Sequence, residues 1–176
     1  PEIAQRCQRM QSEHVLMFSL VINPNPDLTA LIPAQHREQF VKEVTEQVVD
    51  LFFEARGIDT GVEYSYVLHH RSTEGEAPGQ HNPHTHVVLP GTFFSEADDQ
   101  RVPLYFSQNK QGNHIEMLHR ITEDAMEGAM DRYVGRDWER QIDSLHAARE
   151  REFAITESAP HAYEEDDEGV PQPVWI

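Results

Sequence analysis

One cysteine, Cys7, stands in 176 residues. That excludes an intrachain disulfide framework and any zinc site built from several thiolates. Long apolar runs are missing as well. The longest, Val15 to Ile22, is the size of a strand, far short of the roughly 20 residues a membrane-spanning helix needs. No basic stretch and cleavage site of a secretory leader precede it, so the expected setting is the cytoplasm, with no membrane partner. Basic residues are scarce: 14 Lys and Arg face 31 Asp and Glu, a formal net charge of -17. Polyanion binding rests on Lys and Arg displacing counterions from phosphates, so the chain as a whole is a poor generic nucleic-acid binder. Part of the acid excess is local, with eight acidic residues and one basic between Glu150 and Glu168. Such runs ordinarily keep a surface solvated.

What remains patterns as α+β. EHVLMFSLVINP, Glu13 to Pro24, is rich in Val, Leu, Ile and Phe and is stopped by Pro-Asn-Pro, which predicts a buried strand. From Pro33 to Gly57, Phe40, Val44, Val48, Leu51 and Phe52 recur at helical spacing, with Pro33 suited to the first turn and Gly57 to the C-cap. Val62 to His70 and His84 to Leu89 read as two further strands, antiparallel neighbours across a Gly/Pro-containing connection. VPLYFS, Val102 to Ser107, reads as a fourth. Ile115, Leu118, Ala125, Met126, Ala129, Met130 and Tyr133 stripe a second helix from about Asn113 to Val134, and a charged third helix follows from Trp138. The expectation is a central antiparallel sheet with helices packed on it. Residues 1–154 would form the domain and 155–176 an acidic tail, of which HAYEEDDEGVPQPVWI, 161–176, is expected to be extended or disordered apart from a docking contact by Val174, Trp175 and Ile176.

The stretch HNPHTHVVLPG, residues 81–91, holds three histidines within six positions. Strand side chains alternate faces, so His84 and His86 share one face and Thr85 and Val87 the other. Two imidazoles so spaced can converge on one divalent ion if a neighbouring strand supplies a third. VEYSYVLHH ends with two candidates, His69 and His70. A lone His-X-His pair is more often surface polarity. Here it opens a very apolar strand and follows another that ends in histidine, which favours a metal site. His81 reads as a loop residue, His114 and His119 as helix residues, His14 as the start of the first strand, and His36, His146 and His161 as solvated groups.

A hydrophobic strand ending in His, then a polar loop, then NPHTHVVL resembles the third motif of relaxases, the mobilization nucleases of the HUH endonuclease superfamily. EHVLMFSLVINPNP and the helix closed by Gly57 resemble the elements that precede that motif, and the likeness spans roughly residues 13 to 135. It implies a relaxase-like palm, with His69, His84 and His86 as metal ligands for Mn, Zn, Ni or Mg. The implied activity is nicking of one DNA strand at a transfer origin, through a tyrosine that becomes linked to the 5′-phosphate. The implied partners are single-stranded or origin DNA and other mobilization proteins. The family's tyrosine lies upstream of its first strand, whereas no tyrosine here precedes Tyr64. The nucleophile is therefore expected upstream of Pro1, in a segment this chain lacks. Tyr64 and Tyr66, on the strand leading to the histidines, are the weaker candidates, better explained as core residues. Arg71, Lys110, Arg120, Arg132 and Arg136 are the basic residues expected near a DNA groove.

Two other classes fit parts of the sequence. A non-nicking, relaxase-derived module would keep the metal site or only the fold and act through partners. A histidine–metal hydrolase of small phosphoesters would need a closed pocket too small for DNA.

Overall fold

The computed structural model describes residues 15–58, 62–70, 82–109 and 112–158. Three strands, β1 (Met17–Ile22), β2 (Ser65–His69) and β3 (His84–Pro90), form one antiparallel sheet in the order β1-β3-β2. The long antiparallel connection between β2 and β3 is thus as the sequence predicts. Each strand alternates between a covered and an uncovered face. Phe18, Leu20, Ile22, Tyr66, Leu68, Thr85, Val87 and Leu89 point to the covered one.

The cover is supplied mainly by the helix α2 (Arg37–Ala55). Its buried residues come in pairs four apart: Phe40 and Val41, Val44 and Thr45, Val48 and Val49, Phe52 and Phe53. That repeat makes a stripe two side chains wide along one helix face, which is why α2 seats lengthwise on β3. Its end is a Schellman turn: Gly57 N–H bonds to Glu54 O at 2.9 Å, Ile58 N–H bonds to Phe53 O at 3.0 Å, and Gly57 takes φ +66°. The next long helix, α3 (His114–Tyr133), packs on α2 through Ala125 and Ala129, whose small side chains permit close approach. Asn113 caps α3 by accepting from the N–H groups of Ile115 and Glu116.

At the far end of α2 the Arg56 guanidinium lies 5.2 Å from the Tyr105 ring centre, 5.4 Å from Phe52 and 5.9 Å from Phe106. Its Nη1 is buried without a hydrogen-bond partner among the described residues, so the ring faces compensate part of the desolvation that lowers its pKa.

Two local expectations are corrected. Pro-Asn-Pro does not only stop β1. It also starts a short helix, α1 (Pro26–Leu31), because Asn25 accepts from Asp27 N–H at 2.8 Å and Pro26 supplies a preset φ at the first helical position. The fourth strand is not Val102–Ser107. Two strands, β4 (Thr92–Ser95) and β5 (Gln100–Pro103), pair in a hairpin instead. Leu104 then leaves the strand to donate its N–H to Gly91 O at 2.8 Å. A further two-residue pair, β6 (Gln108–Asn109) with β7 (Gly112–Asn113), leads into α3.

Gly91, at the turn between β3 and β4, is required by sterics. A Cβ there would lie 1.6 Å from Val15 O, because the backbone of Val15 and Leu16, just before β1, passes against it.

Two compact units divide the chain, Pro1–Ile142 and Asp143–Ile176. The elements above belong to the first, and the last helix, α4 (Trp138–Ser158), runs from it into the second. Beyond Ser158 the expected acidic tail lies outside the described residues. No helix among the described residues is long and apolar enough to cross a membrane.

Candidate functional site

Register decides which side chains meet. His69 pairs directly with His84, and Val67 with His86, so His69, His84 and His86 all project from the uncovered face. Their ring centres stand 4.7 Å apart for His69–His86 and 5.3 Å for both other pairs. One nitrogen from each ring can be chosen so that all three lie within 4.8 Å of one another. Three donors this close can hold one ion, and no backbone rearrangement is needed to bring them together.

The protonation pattern of one ring is fixed by its surroundings. His84 Nδ1 lies 3.0 Å from the backbone oxygen of Asn82. A carbonyl only accepts, so Nδ1 donates there, and in the neutral ring the lone pair lies on Nε2. That second hydrogen bond, from ring N–H to a backbone carbonyl, is the arrangement that ordinarily orients a metal-binding imidazole.

His70 goes elsewhere. It lies one residue on, beside α2, with its Nδ1 2.9 Å from Glu38 Oε1. That hydrogen bond is the largest cause holding the Glu38 carboxyl below its ordinary range. Of the two candidates offered by the end of β2, the geometry brings His69 to the pair.

The strand residues around the triad are uncharged, most of them apolar. Met17, Ser19 and Val21 from β1, Ser65 and Val67 from β2, and Val88 and Pro90 from β3 share its face. Val21 is 54% exposed and Val67 59%, so the site opens broadly to solvent. No strand residue on this face bears a fixed charge. Arg120 and Arg132 lie on α3, on the helical side of the sheet, where Arg120 pairs with Glu116 and Arg132 donates to Gly128 O. Arg71 and Lys110 lie outside the described residues, as do His14, His81 and His161.

Tyr66 sits opposite Val87 on the covered face, with its hydroxyl donating to Glu46 Oε1 at 2.6 Å. Tyr64 stacks beside it at 6.5 Å between ring centres. Burial pushes both phenols up to about 12, aided by Asp50 and Glu46 at Tyr64 and by the hydrogen bond to Glu46 at Tyr66. The geometry does not bring either hydroxyl to the histidines. Tyr105, 60% exposed, lies against Arg56 and His114 at the end of α2.

Behind the triad lies a contact that strand patterning did not single out. Thr85, between the two β3 histidines, points to the covered face and meets Thr45 of α2. Asn82 is likewise a residue that strand patterning does not single out.

Comparison with family models, with curated proteins and with solved structures found no match for this chain.

Proposed function

We propose that the chain is the metal-binding part of a relaxase-like enzyme that nicks one strand of DNA in the mobilization of a plasmid or mobile element. The observation that carries the reading is the convergence of His69, His84 and His86 on one sheet face. The donor set fits a divalent cation. Three neutral imidazoles add no negative charge, and the lone pair of His84 Nε2 is left free by the bond at Nδ1. Mn, Zn or Ni suits such a site better than Mg, which prefers oxygen ligands.

When bound, the cation supplies Lewis-acid polarisation of a phosphate oxygen. The chain's own residues do the rest by geometry. The rigid β2–β3 pair holds the three imidazoles, and Val21, Val67 and Val88 border them with side chains that cannot compete for phosphate. In the nicking step a tyrosine oxygen attacks phosphorus, the bond to the 3′ oxygen breaks, and the strand is left with a free 3′-hydroxyl and a tyrosyl 5′-phosphate. The reading assigns that tyrosine to a segment outside the described residues, because Tyr64 and Tyr66 lie on the covered face with raised pKa values.

A second reading is favoured by the uncharged, broadly exposed face: a non-nicking module that binds metal or a partner there. The small-phosphoester hydrolase loses ground because Val21 and Val67, which flank His86 on that face, are both more than half exposed.

The test combines Mn or Zn with single-stranded origin DNA and the chain, prepared with any sequence that precedes it in its gene. A DNA-linked species on a denaturing gel, abolished by chelator and by His84→Ala, is expected. Metal uptake without an adduct would replace the nicking reading with the binding module, and failure to take up metal would remove both metal-based readings.

A further inference from the structure

We infer that Asn82 is the positioning residue of the histidine centre, setting the tautomer of His84 through its own backbone carbonyl. The inference rests on the metal reading above and concerns how one ligand is prepared.

The chain of contacts begins in the Pro-Asn-Pro turn. The Asn82 side-chain amide donates to Pro24 O and, at 3.3 Å, to Asn23 Oδ1. Its own Oδ1 accepts from the Thr29 hydroxyl, which is shared with Pro26 O. Thr29 is the buried residue of α1, 3% exposed, so this anchor is shielded from competing water. Pro83 follows, itself buried and restricted in φ. Asn82 is thereby held from both ends of its amide, and its carbonyl oxygen is presented to His84 Nδ1 at 3.0 Å.

The chemical consequence lies at the other nitrogen. A free neutral histidine side chain favours the proton on Nε2, which would leave that atom a donor and useless as a ligand. The carbonyl reverses the preference and fixes ring rotation together with it. Among the described residues, neither His69 nor His86 has a comparable hydrogen bond. The anchor also gives α1 a purpose. Besides packing Leu28 and Leu31 against the core, its six residues supply Thr29 to the Asn82 amide.

The experiment compares the wild-type chain with Asn82→Ala, Thr29→Val and Thr29→Ser. Nitrogen-15 spectra at about pH 8, where neutral imidazole dominates, report the tautomer of His84 without metal. Titration with Zn and Mn reports affinity. The expected wild-type His84 carries its proton on Nδ1. Asn82→Ala should move it to Nε2 and weaken metal binding about 10–100-fold. Thr29→Val should shift both readouts in the same direction, and Thr29→Ser should restore them. A general loss of packing would not single out the His84 tautomer. If Asn82→Ala does not fold, the Thr29→Val and Thr29→Ser pair decides by the same criteria. A wild-type His84 protonated on Nε2, or folded variants with unchanged tautomer and affinity, would overturn the role of Asn82 alone. Absence of metal uptake by the wild type, with His84 still protonated on Nδ1, would overturn the metal reading while upholding the hydrogen bond itself.

Discussion

The hydroxyls of Thr45 and Thr85 meet at 2.7 Å in a fully buried contact between α2 and β3, immediately behind the histidine face. Thr45 also bonds to Val41 O at 2.7 Å. A carbonyl only accepts, so Thr45 donates there and Thr85 must donate to Thr45. The two substitutions are therefore unequal. Thr45→Val leaves a buried donor without an acceptor and is expected to cost about 1–3 kcal/mol, whereas Thr85→Val removes the donor itself and should cost about 1 kcal/mol. Urea denaturation of both single variants and the double variant checks this. Equal costs, or a larger one for Thr85→Val, would contradict the donor assignment.

Two glycines should respond with opposite signs. Gly91→Ala drives a methyl group into the Val15 carbonyl, and only backbone displacement relieves it. A loss of about 3 kcal/mol or more is expected. Gly128, inside α3, has only the Arg132 side chain at 3.6 Å from an added Cβ. Gly128→Ala is expected to stabilise by about 0.5–1 kcal/mol through helix propensity and reduced chain entropy. Thermal denaturation of the pair is sufficient.

Tyr64 and Tyr66 make stability fall at alkaline pH. Both are neutral in folded and unfolded chains below the ordinary tyrosine range of about 10. Above it the unfolded chain releases its phenolic protons, while the folded chain holds them until about 12. Stability contributed by these groups is therefore present below about pH 10 and lost as pH rises towards about 12. The urea midpoint should drop across that window, and Tyr66→Phe should flatten the drop. A midpoint independent of pH there would show that neither phenol is held.

The histidines should sort cleanly by metal titration. His69→Ala, His84→Ala and His86→Ala are each expected to weaken Zn and Ni binding severely. His70→Ala should leave it unchanged, because that ring faces Glu38. Mg should bind least among the divalent ions tried. Calorimetry giving His70→Ala the larger effect would reassign the third ligand.

Much of this arrangement was legible in the chain because two periodicities are strong. The doublets of α2 repeat every four residues, and β3 alternates His, Thr, His, Val, Val, Leu with its polar ligands on one face. The convergence of His84 and His86 follows from that alternation alone. The residue pattern leaves His69 and His70 open and the resemblance implies His69; the register, which depends on partners no local pattern specifies, brings His69 to the pair. The fourth strand was misplaced because Leu104 is buried by a bond to Gly91 O, outside any ladder. Pro-Asn-Pro was half read: the residues that end β1 also cap and open α1. Asn82 escaped notice because its role is exerted through a backbone atom, and composition carries no trace of which carbonyl faces a ring.

All three histidines belong to one antiparallel pair, β2 with β3, while β1 joins the other side of β3 from beyond α1 and α2 in sequence. The centre can therefore assemble when only the nearer pairing has formed, with the entropy of closing one modest loop. The more distant pairing of β1 comes at a higher contact order and should form later. An ion captured at that stage would bias the chain towards the native register of β2 on β3. Refolding in the presence of Zn would then be faster than in a chelator, with the ion acting as a template for the sheet before it serves any chemistry.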